Sequence, residues 1–190
     1  MRTLLAAAFG LLALPALAAD ATQPTVTLTP TQEIFVAYEL LCVKSGGKLS
    51  KAKPTIANLE KSKTIKAVPA ADAEKLFKKG DAVWASKTTG TEMFVVYDPV
   101  GICALHIRQA DQKSMKAEFV HYISNVNKGM KGSVLIKKAD DKKQGESLFS
   151  YYIVTKPGAK MGAGFGLSTS APEAKKSPQH VLTFNLAKPE

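Results

Sequence analysis

The chain has few of the residues on which most enzymes rely for nucleophilic, metal or redox chemistry. Its 190 residues include 2 cysteines and 3 histidines, and the histidines (His106, His121 and His180) are far apart. The sequence contains no H-E-x-x-H, C-x-x-C or G-x-S-x-G segment, which removes the common motifs of zinc proteases, thiol redox proteins and serine hydrolases. It also lacks paired carboxylates suited to glycoside hydrolysis. We therefore predict no catalytic residue, no cofactor and no metal site.

Arginine is nearly absent, although the chain is strongly basic. The formal net charge is +10, yet Arg2 and Arg108 are the only arginines and all other basic residues are lysines. Arginine supplies the planar fork that reads phosphates and base edges, whereas lysine is a well-hydrated point charge. The composition therefore argues against nucleic-acid recognition and favours loose attraction to anionic surfaces.

Long apolar runs are missing everywhere except at the N-terminus, where one extends from Leu4 to Leu17 and is interrupted by a glycine and a proline. With Arg2 before it and the small residues "ALAA" at its end, this run is typical of a cleaved secretory signal. No later run is long enough to span a membrane. No cysteine directly follows the N-terminal run, so a lipid anchor has no attachment point there. We expect a soluble protein of the bacterial periplasm or the extracellular space. Its predicted parts are a signal peptide at 1–19, an extended leader at 20–30 and a single domain at 31–190.

Hydrophobic periodicity divides this domain into a helical first third and a strand-rich remainder. The segment "TPTQEIF" predicts a helix start with Thr29 as cap, Pro30 in the first turn and Gln32 completing a capping box. Two shorter helices are expected at about 50–61 and 70–78, and another after Asp111. Period-two alternation predicts strands at 82–87, 92–98 and 102–108, and later at 133–138, 147–155, 161–170 and 179–187, with an exposed hairpin loop at 139–145.

This order of elements indicates an α+β fold. N-terminal helices are followed by a three-strand meander, a helix and four further strands, which together predict a largely antiparallel sheet.

One of the two cysteines lies close to a histidine in the segment "GICALHI", which raises the question of a thiol nucleophile with its base. In a strand, Cys103 faces the same way as Leu105 and Ile107, while His106 faces the opposite way. Cys42 lies on the apolar side of the first helix. Two cysteines on core-facing surfaces of an exported protein most simply form one disulfide, Cys42–Cys103. The alternative is a free thiol at either cysteine, activated by a distant histidine.

The segment "MGAGFGLSTS" places three glycines on one face of a strand: Gly162, Gly164 and Gly166, called here the glycine row. Either Tyr151 or Tyr152 of the neighbouring strand covers this row, or the row forms a shallow groove for an extended peptide or glycan. In the second case nearby lysines would give the groove a positive rim. The candidate binding surface therefore comprises Gly162, Gly164, Gly166, Tyr151, Tyr152, Lys156 and Lys160.

Several short segments resemble a group of small exported bacterial proteins and lipoproteins of unknown function: "YELLCVKSGG", "AVWASK", "GICALHI", "GLSTS" and "SPQHVLTFNL". These proteins share a helix cysteine followed by glycines, a tryptophan strand, a G-x-C strand and a C-terminal hairpin. The chain differs from the lipoproteins in lacking their lipid-bearing cysteine. The resemblance implies an exported protein, a paired role for Cys42 and Cys103, and no catalytic residues.

These observations together predict an exported, disulfide-linked protein that acts by binding rather than by catalysis. The expected partner is a protein or an anionic polymer of the cell envelope. An inhibitor or immunity-type protein against a secreted toxin fits the size, the export and the missing catalytic motifs. Two alternatives stay open, namely an envelope enzyme with a thiol-based or histidine-based site and a carrier of a small ligand.

Overall fold

The computed structural model describes residues 27–78, 81–88, 91–172 and 178–189. The predicted signal peptide and most of the predicted leader lie outside these residues. The described α-helices are Pro30–Tyr38 (α1), Leu49–Lys61 (α2), Ala70–Leu76 (α3) and Gln112–Gly129 (α4), and a π-helical segment, Glu39–Val43, continues α1. The strands are Ile65–Ala67 (β1), Ala82–Thr88 (β2), Thr91–Tyr97 (β3), Cys103–Ile107 (β4), Val134–Gln144 (β5), Ser147–Thr155 (β6), Gly162–Ser170 (β7) and His180–Ala187 (β8).

All of these strands belong to one 8-stranded sheet with the order β1-β2-β3-β4-β8-β7-β6-β5. Every neighbouring pair is antiparallel. The predicted α+β fold is confirmed, with its meander (β2 to β4), its helix (α4) and its four later strands. Strand β8 lies between β4 and β7, so it joins the meander to the second half of the sheet.

Two strands differ from the sequence prediction. Strand β1 is only 3 residues long and pairs with β2, and so short a segment carries no readable alternation. Strand β5 continues to Gln144, through the region predicted as an exposed loop at 139–145. It does so by two register shifts, between Lys137 and Ala139 and between Ala139 and Lys142. These bulges break the period of two, which explains why the sequence does not reveal the strand.

The helix predictions rest on local signals that the structure reproduces. Thr29 caps α1 by accepting a hydrogen bond from the Gln32 backbone at 3.2 Å, and the Gln32 side chain accepts one from the Thr29 backbone at 3.0 Å. Asp111 caps α4 in the same way, accepting from the Ser114 backbone at 2.7 Å. These caps satisfy backbone N–H groups that a helix start leaves without partners.

Helices lie on both faces of the sheet, but they cover the two faces unequally. The core face is the side that bears Cys103, Leu105 and Ile107, each 0% exposed. It packs against the apolar sides of α1, α2 and α4. The outer face is the opposite side, and α3 covers only its first part, where Ala73 and Phe77 pack against side chains of β2, β3 and β4.

The Cys42–Cys103 disulfide is present and joins the helical region to the sheet, with the two α-carbons 5.2 Å apart. Cys42 belongs to the π-helical segment, where the Lys44 backbone donates to the Glu39 carbonyl, five residues back, at 3.0 Å. A π-helical turn leaves carbonyls free for other donors. The Leu41 carbonyl accepts from the Ser45 hydroxyl at 2.7 Å and from the Tyr97 hydroxyl on β3.

Candidate functional site

The second part of the outer face, formed by β6, β7 and β8, is not covered by any described helix. Alternation along these strands brings Phe149, Tyr151, Thr183 and Asn185 to this side, all half-buried. The rings of Phe149 and Tyr151 are stacked, with centroids 6.1 Å apart and an interplanar angle of 11°. The result is a pair of parallel aromatic rings bordered by hydroxyl and amide groups.

The glycine row is buried. Gly164 and Gly166 lie beneath these side chains, and Gly162 lies against Ile153 and Thr155. Tyr151 crosses Gly164 and donates a hydrogen bond from its hydroxyl to Oδ1 of Asn185 at 3.0 Å. A β-carbon on Gly166 would meet the Thr183 hydroxyl and stand 3.4 Å from the Tyr151 ring. Of the two interpretations of the glycine row, this geometry favours coverage by an aromatic side chain. The accessible surface here is the Phe149–Tyr151 stack.

Burial makes the Tyr151 hydroxyl less acidic. Desolvation raises the pKa of its hydroxyl, and the hydrogen bond to Asn185 lowers it by a smaller amount. The hydroxyl is therefore neutral at physiological pH and can act as a donor.

Tyr152, which the sequence analysis grouped with this surface, lies on the core face because neighbouring side chains alternate. It is 5% exposed, and its hydroxyl donates to Asp140 at 2.8 Å. Lys137 also donates to Asp140, at 2.9 Å. Hydrogen bonding from Lys137, and then from Tyr152, lowers the pKa of that carboxyl. Tyr152 thus belongs to a polar cluster on the other side of the sheet.

Exposed lysines border the outer face of β6 to β8 and are called here the lysine rim: Lys142, Lys156, Lys160 and Lys188. Lys156, Lys160 and Lys188 meet at one end of the sheet, because β6 and β8 end there and β7 begins there. Lys142 is paired in register with Phe149. Among the described residues, none of these lysines forms an ion pair, whereas Lys116 and Lys137 pair with Asp141 and Asp140.

The three histidines are separated from one another and lie in different environments. His180 is fully buried, with Nδ1 2.6 Å from the Thr169 hydroxyl and Nε2 2.9 Å from the Ala110 carbonyl. Burial lowers its pKa. Both ring nitrogens are thus occupied, which makes His180 a structural residue. His121 is exposed on α4, where its ring contacts Asn125 at 2.9 Å.

His106 lies on the outer face, on the opposite side of the sheet from Cys103, as strand alternation predicts. The Phe77 ring approaches it edge-on, with centroids 5.0 Å apart. Burial lowers the pKa of its imidazole to about 4. His106 is therefore neutral at physiological pH and remote from the disulfide.

The described residues offer little for covalent or metal chemistry. Both cysteines are consumed by the disulfide, so neither can act as a thiol nucleophile while it is intact. No group of three or more histidine, cysteine or acidic side chains in the described ranges is arranged to hold a metal ion. Across those ranges, too, the helices lack the length and apolar character needed to cross a membrane.

Sequence analysis missed part of this surface. Phe149, Asn185, Lys142 and Lys188 were not singled out, although Phe149 alternates with Tyr151 and so must share its face. Asn185 and Lys188 join this surface through the register of β8 on β7, and the hairpin pattern in the sequence does not fix that register. Lys142 faces this surface only because β5 continues through its bulges.

Comparison with protein-family models, with curated proteins and with solved structures finds no match to this chain.

Proposed function

We propose that this chain is an exported, non-catalytic binding protein of the bacterial envelope, and that the outer face of β6 to β8 engages an anionic glycan polymer. The observation that carries the proposal is the half-buried Phe149–Tyr151 stack, which lies on a part of the sheet that no described helix covers and is bordered by the lysine rim.

Export is supported by the signal-like segment at the N-terminus and by the disulfide. Disulfides form and persist in oxidising compartments such as the periplasm. The resemblance to small exported bacterial proteins points the same way. The intact mass of the protein recovered from the periplasm tests this step. The mass of a chain that begins at Asp20, two hydrogens below the value for free thiols, supports export and formation of the disulfide. A chain that keeps residues 1–19 contradicts export.

A glycan is the favoured partner because of the chemistry of the surface. Aromatic faces offer an apolar platform to sugar rings, and the hydroxyls of Ser168 and Thr183 with the Asn185 amide supply polar groups beside it. Such a mixture of apolar surface and a few polar groups is typical of ligand sites. A partner would contact the rings themselves, because Tyr151 covers Gly164 and Gly166.

An anionic partner is favoured by the distribution of charge. The lysine rim has no acidic partners among the described residues, so its field extends into solvent. Attraction between exposed charges weakens as salt screens them. Binding that rests on this rim must therefore weaken with ionic strength.

Isothermal titration calorimetry with alginate oligosaccharides tests the proposal. Alginate is an anionic polymer of uronates. Dextran of matched length provides the neutral control. We expect alginate to bind and dextran to bind far more weakly, and we expect the triple substitution Lys156→Gln, Lys160→Gln and Lys188→Gln to weaken alginate binding about tenfold at low salt.

A matched charge change on the opposite side of the molecule is the decisive control. Lys51, Lys53 and Lys61 are exposed on α2, which covers the core face. Replacing these three with glutamine removes the same charge and should change alginate affinity by less than about twofold. Equal losses in the two triple variants, or no alginate binding, would overturn the proposed surface.

A further inference from the structure

A cavity lies on the outer face next to α3, away from the surface formed by β6 to β8. Its volume is about 390 Å³, and it is bounded by the end of α3, the start of β2, and strands β3 and β4. Phe77, Val96 and Ala104 form apolar walls. The polar and charged groups of the lining are Lys78, Asp81, Asp98 and His106. This size and this mixture of walls lie within the range of small-molecule sites.

Two residues that line the cavity each carry a buried polar atom without a hydrogen-bond partner, namely Oδ1 of Asp81 and Nδ1 of His106. Among the described residues these are the only buried side-chain nitrogen or oxygen atoms in that condition. Buried polar groups in folded proteins are nearly always paired, because an unpaired one sacrifices its hydration without compensation. Two such atoms in one cavity indicate a place that receives a hydrogen-bonding ligand.

Asp81 is held in position by its own backbone surroundings. Its Oδ2 accepts from the Lys78 backbone at 3.1 Å, and its backbone N–H donates to the Lys78 carbonyl at 3.2 Å. Oδ1 is thus the free half of a carboxylate whose orientation is fixed. No described lysine, arginine or histidine forms an ion pair with it. A carboxylate in this state is an acceptor, and a cationic donor satisfies it best.

His106 complements Asp81 because its imidazole is neutral. Burial lowers its pKa to about 4, so at neutral pH one ring nitrogen can accept a hydrogen bond. The Phe77 ring, packed edge-on against the imidazole, adds an aromatic surface to the same cavity. Aromatic rings attract cations as well as apolar groups.

We propose that this cavity binds a small organic cation that carries an ammonium head on an apolar body. The ammonium donates to Oδ1 of Asp81 and to Nδ1 of His106, and the apolar body lies against Phe77, Val96 and Ala104. This site does not depend on the proposed glycan surface, because neither Asp81 nor His106 belongs to the stack or to the lysine rim.

Three probes of nearly the same shape test the head-group chemistry on the purified, oxidised protein. They are 2-phenylethylamine, which is cationic; 2-phenylethanol, which is neutral; and 3-phenylpropanoate, which is anionic. We expect the amine to bind about tenfold to a hundredfold more tightly than the alcohol, and the carboxylate not to bind. Equal affinity for amine and alcohol, or no binding of the amine, overturns the proposal.

Nuclear magnetic resonance locates the site independently of affinity. The chain has 3 histidines, so the ring signals of His106 can be assigned by their loss in His106→Leu. Addition of the amine should shift the His106 signals and leave those of His180 in place, because His180 is buried among its own partners. A shift at His180 or His121 without one at His106 contradicts the assignment.

A matched pair of acidic substitutions completes the test. Asp81→Asn removes the charge at Oδ1 and should weaken amine binding about tenfold or more. Asp72→Asn removes the same charge from an exposed residue of α3 that pairs with Lys75, and should leave the affinity unchanged. Urea denaturation of both variants checks that they fold. If Asp81→Asn does not fold, the three probes on the unmodified protein still test whether the cavity prefers a cation.

Discussion

Tyr151 reaches across β7 to β8 because Gly164, the residue beneath its ring, has no side chain. A β-carbon on Gly164 would collide with the Tyr151 hydroxyl and stand 2.6 Å from Oδ1 of Asn185. The hydrogen bond between this hydroxyl and Asn185 spans 3.0 Å. One aromatic side chain therefore links three strands on the outer face.

Alanine substitutions in the glycine row should differ in cost according to what surrounds each residue. At Gly162 an added β-carbon would lie 2.6 Å from Ile153 Cγ2, 2.8 Å from Thr155 Cβ and 2.9 Å from the Val154 carbonyl oxygen. Thr155 Cβ and the carbonyl oxygen cannot move away by a side-chain rotation. At Gly164 the half-buried Tyr151 ring can swing outward. Urea denaturation should show a loss of about 3 kcal/mol or more for Gly162→Ala and about 1 to 2 kcal/mol for Gly164→Ala.

Gly129 provides the control for these substitutions. It ends α4, and a β-carbon there would meet nothing within 4 Å. Gly129→Ala should therefore leave the free energy of unfolding unchanged or raise it by up to about 1 kcal/mol. A lower cost at Gly162 than at Gly164 would contradict the packing described here.

Reduction of the disulfide should destabilise the protein strongly. The two cysteines are 61 residues apart, and closing a loop of that length restricts the unfolded chain enough to contribute about 4 kcal/mol. Chemical denaturation with and without reductant measures this difference. The double variant Cys42→Ala, Cys103→Ala should be destabilised by a similar amount and should no longer respond to reductant. A chain whose stability is indifferent to reductant would show that the bond is not formed.

Stability should fall in mild acid because of His106. The folded protein keeps this imidazole neutral down to a pKa of about 4, whereas the unfolded chain takes up a proton near the ordinary pKa of 6.5. Between these values the unfolded state binds more protons, so the free energy of unfolding decreases as the pH falls from about 6.5 to about 4, by up to about 3 kcal/mol. The charged residues that line the same cavities as His106 are Lys78, Asp81, Asp98 and Arg108.

Comparison with His106→Leu isolates this contribution. Burial also lowers the pKa of His180, which is present in both proteins and cancels in the difference. The variant should therefore show a shallower decline between pH 6.5 and pH 4. The same slope in both proteins would mean that His106 is protonated in the folded state.

The Leu41 carbonyl accepts from two hydroxyls, so removing both should cost more than the sum of the single losses. Tyr97→Phe and Ser45→Ala each leave one donor in place and should cost about 1 kcal/mol. The double variant leaves a buried carbonyl without a side-chain donor, which should add about 1 kcal/mol of coupling. Denaturation of the four proteins forms the thermodynamic cycle, and strict additivity would argue against a shared acceptor.

Local sequence signals predicted much of the fold because their causes are local. The capping box at Thr29 and Gln32 fixes the start of α1, and alternation in β4 places Cys103 and His106 on opposite faces. The disulfide followed from the same reasoning about faces. Neither the pairing of β4 with β8 nor the bulges of β5 could be predicted, because both depend on contacts between distant residues.

The candidate site was predicted only in part for the same reason. The glycine row and Tyr151 belong to adjacent strands joined by a short turn, so their meeting could be anticipated. The cavity at Asp81 and His106 forms because α3 packs over β3 and β4. No motif in the sequence predicts this packing. Its two unpaired atoms become visible only when burial is known for each side chain.

The place of β8 between β4 and β7 also sets the order in which the protein can mature. The two halves of the sheet share no hydrogen-bonded strand pair until residues 180–187 have been made. Pairing between such distant segments is slow, because the entropy of closing a long loop is lost before any stabilising contact forms. The second half of the sheet therefore cannot join the first until the last strand is in place, so the final residues of the domain decide when the whole sheet forms.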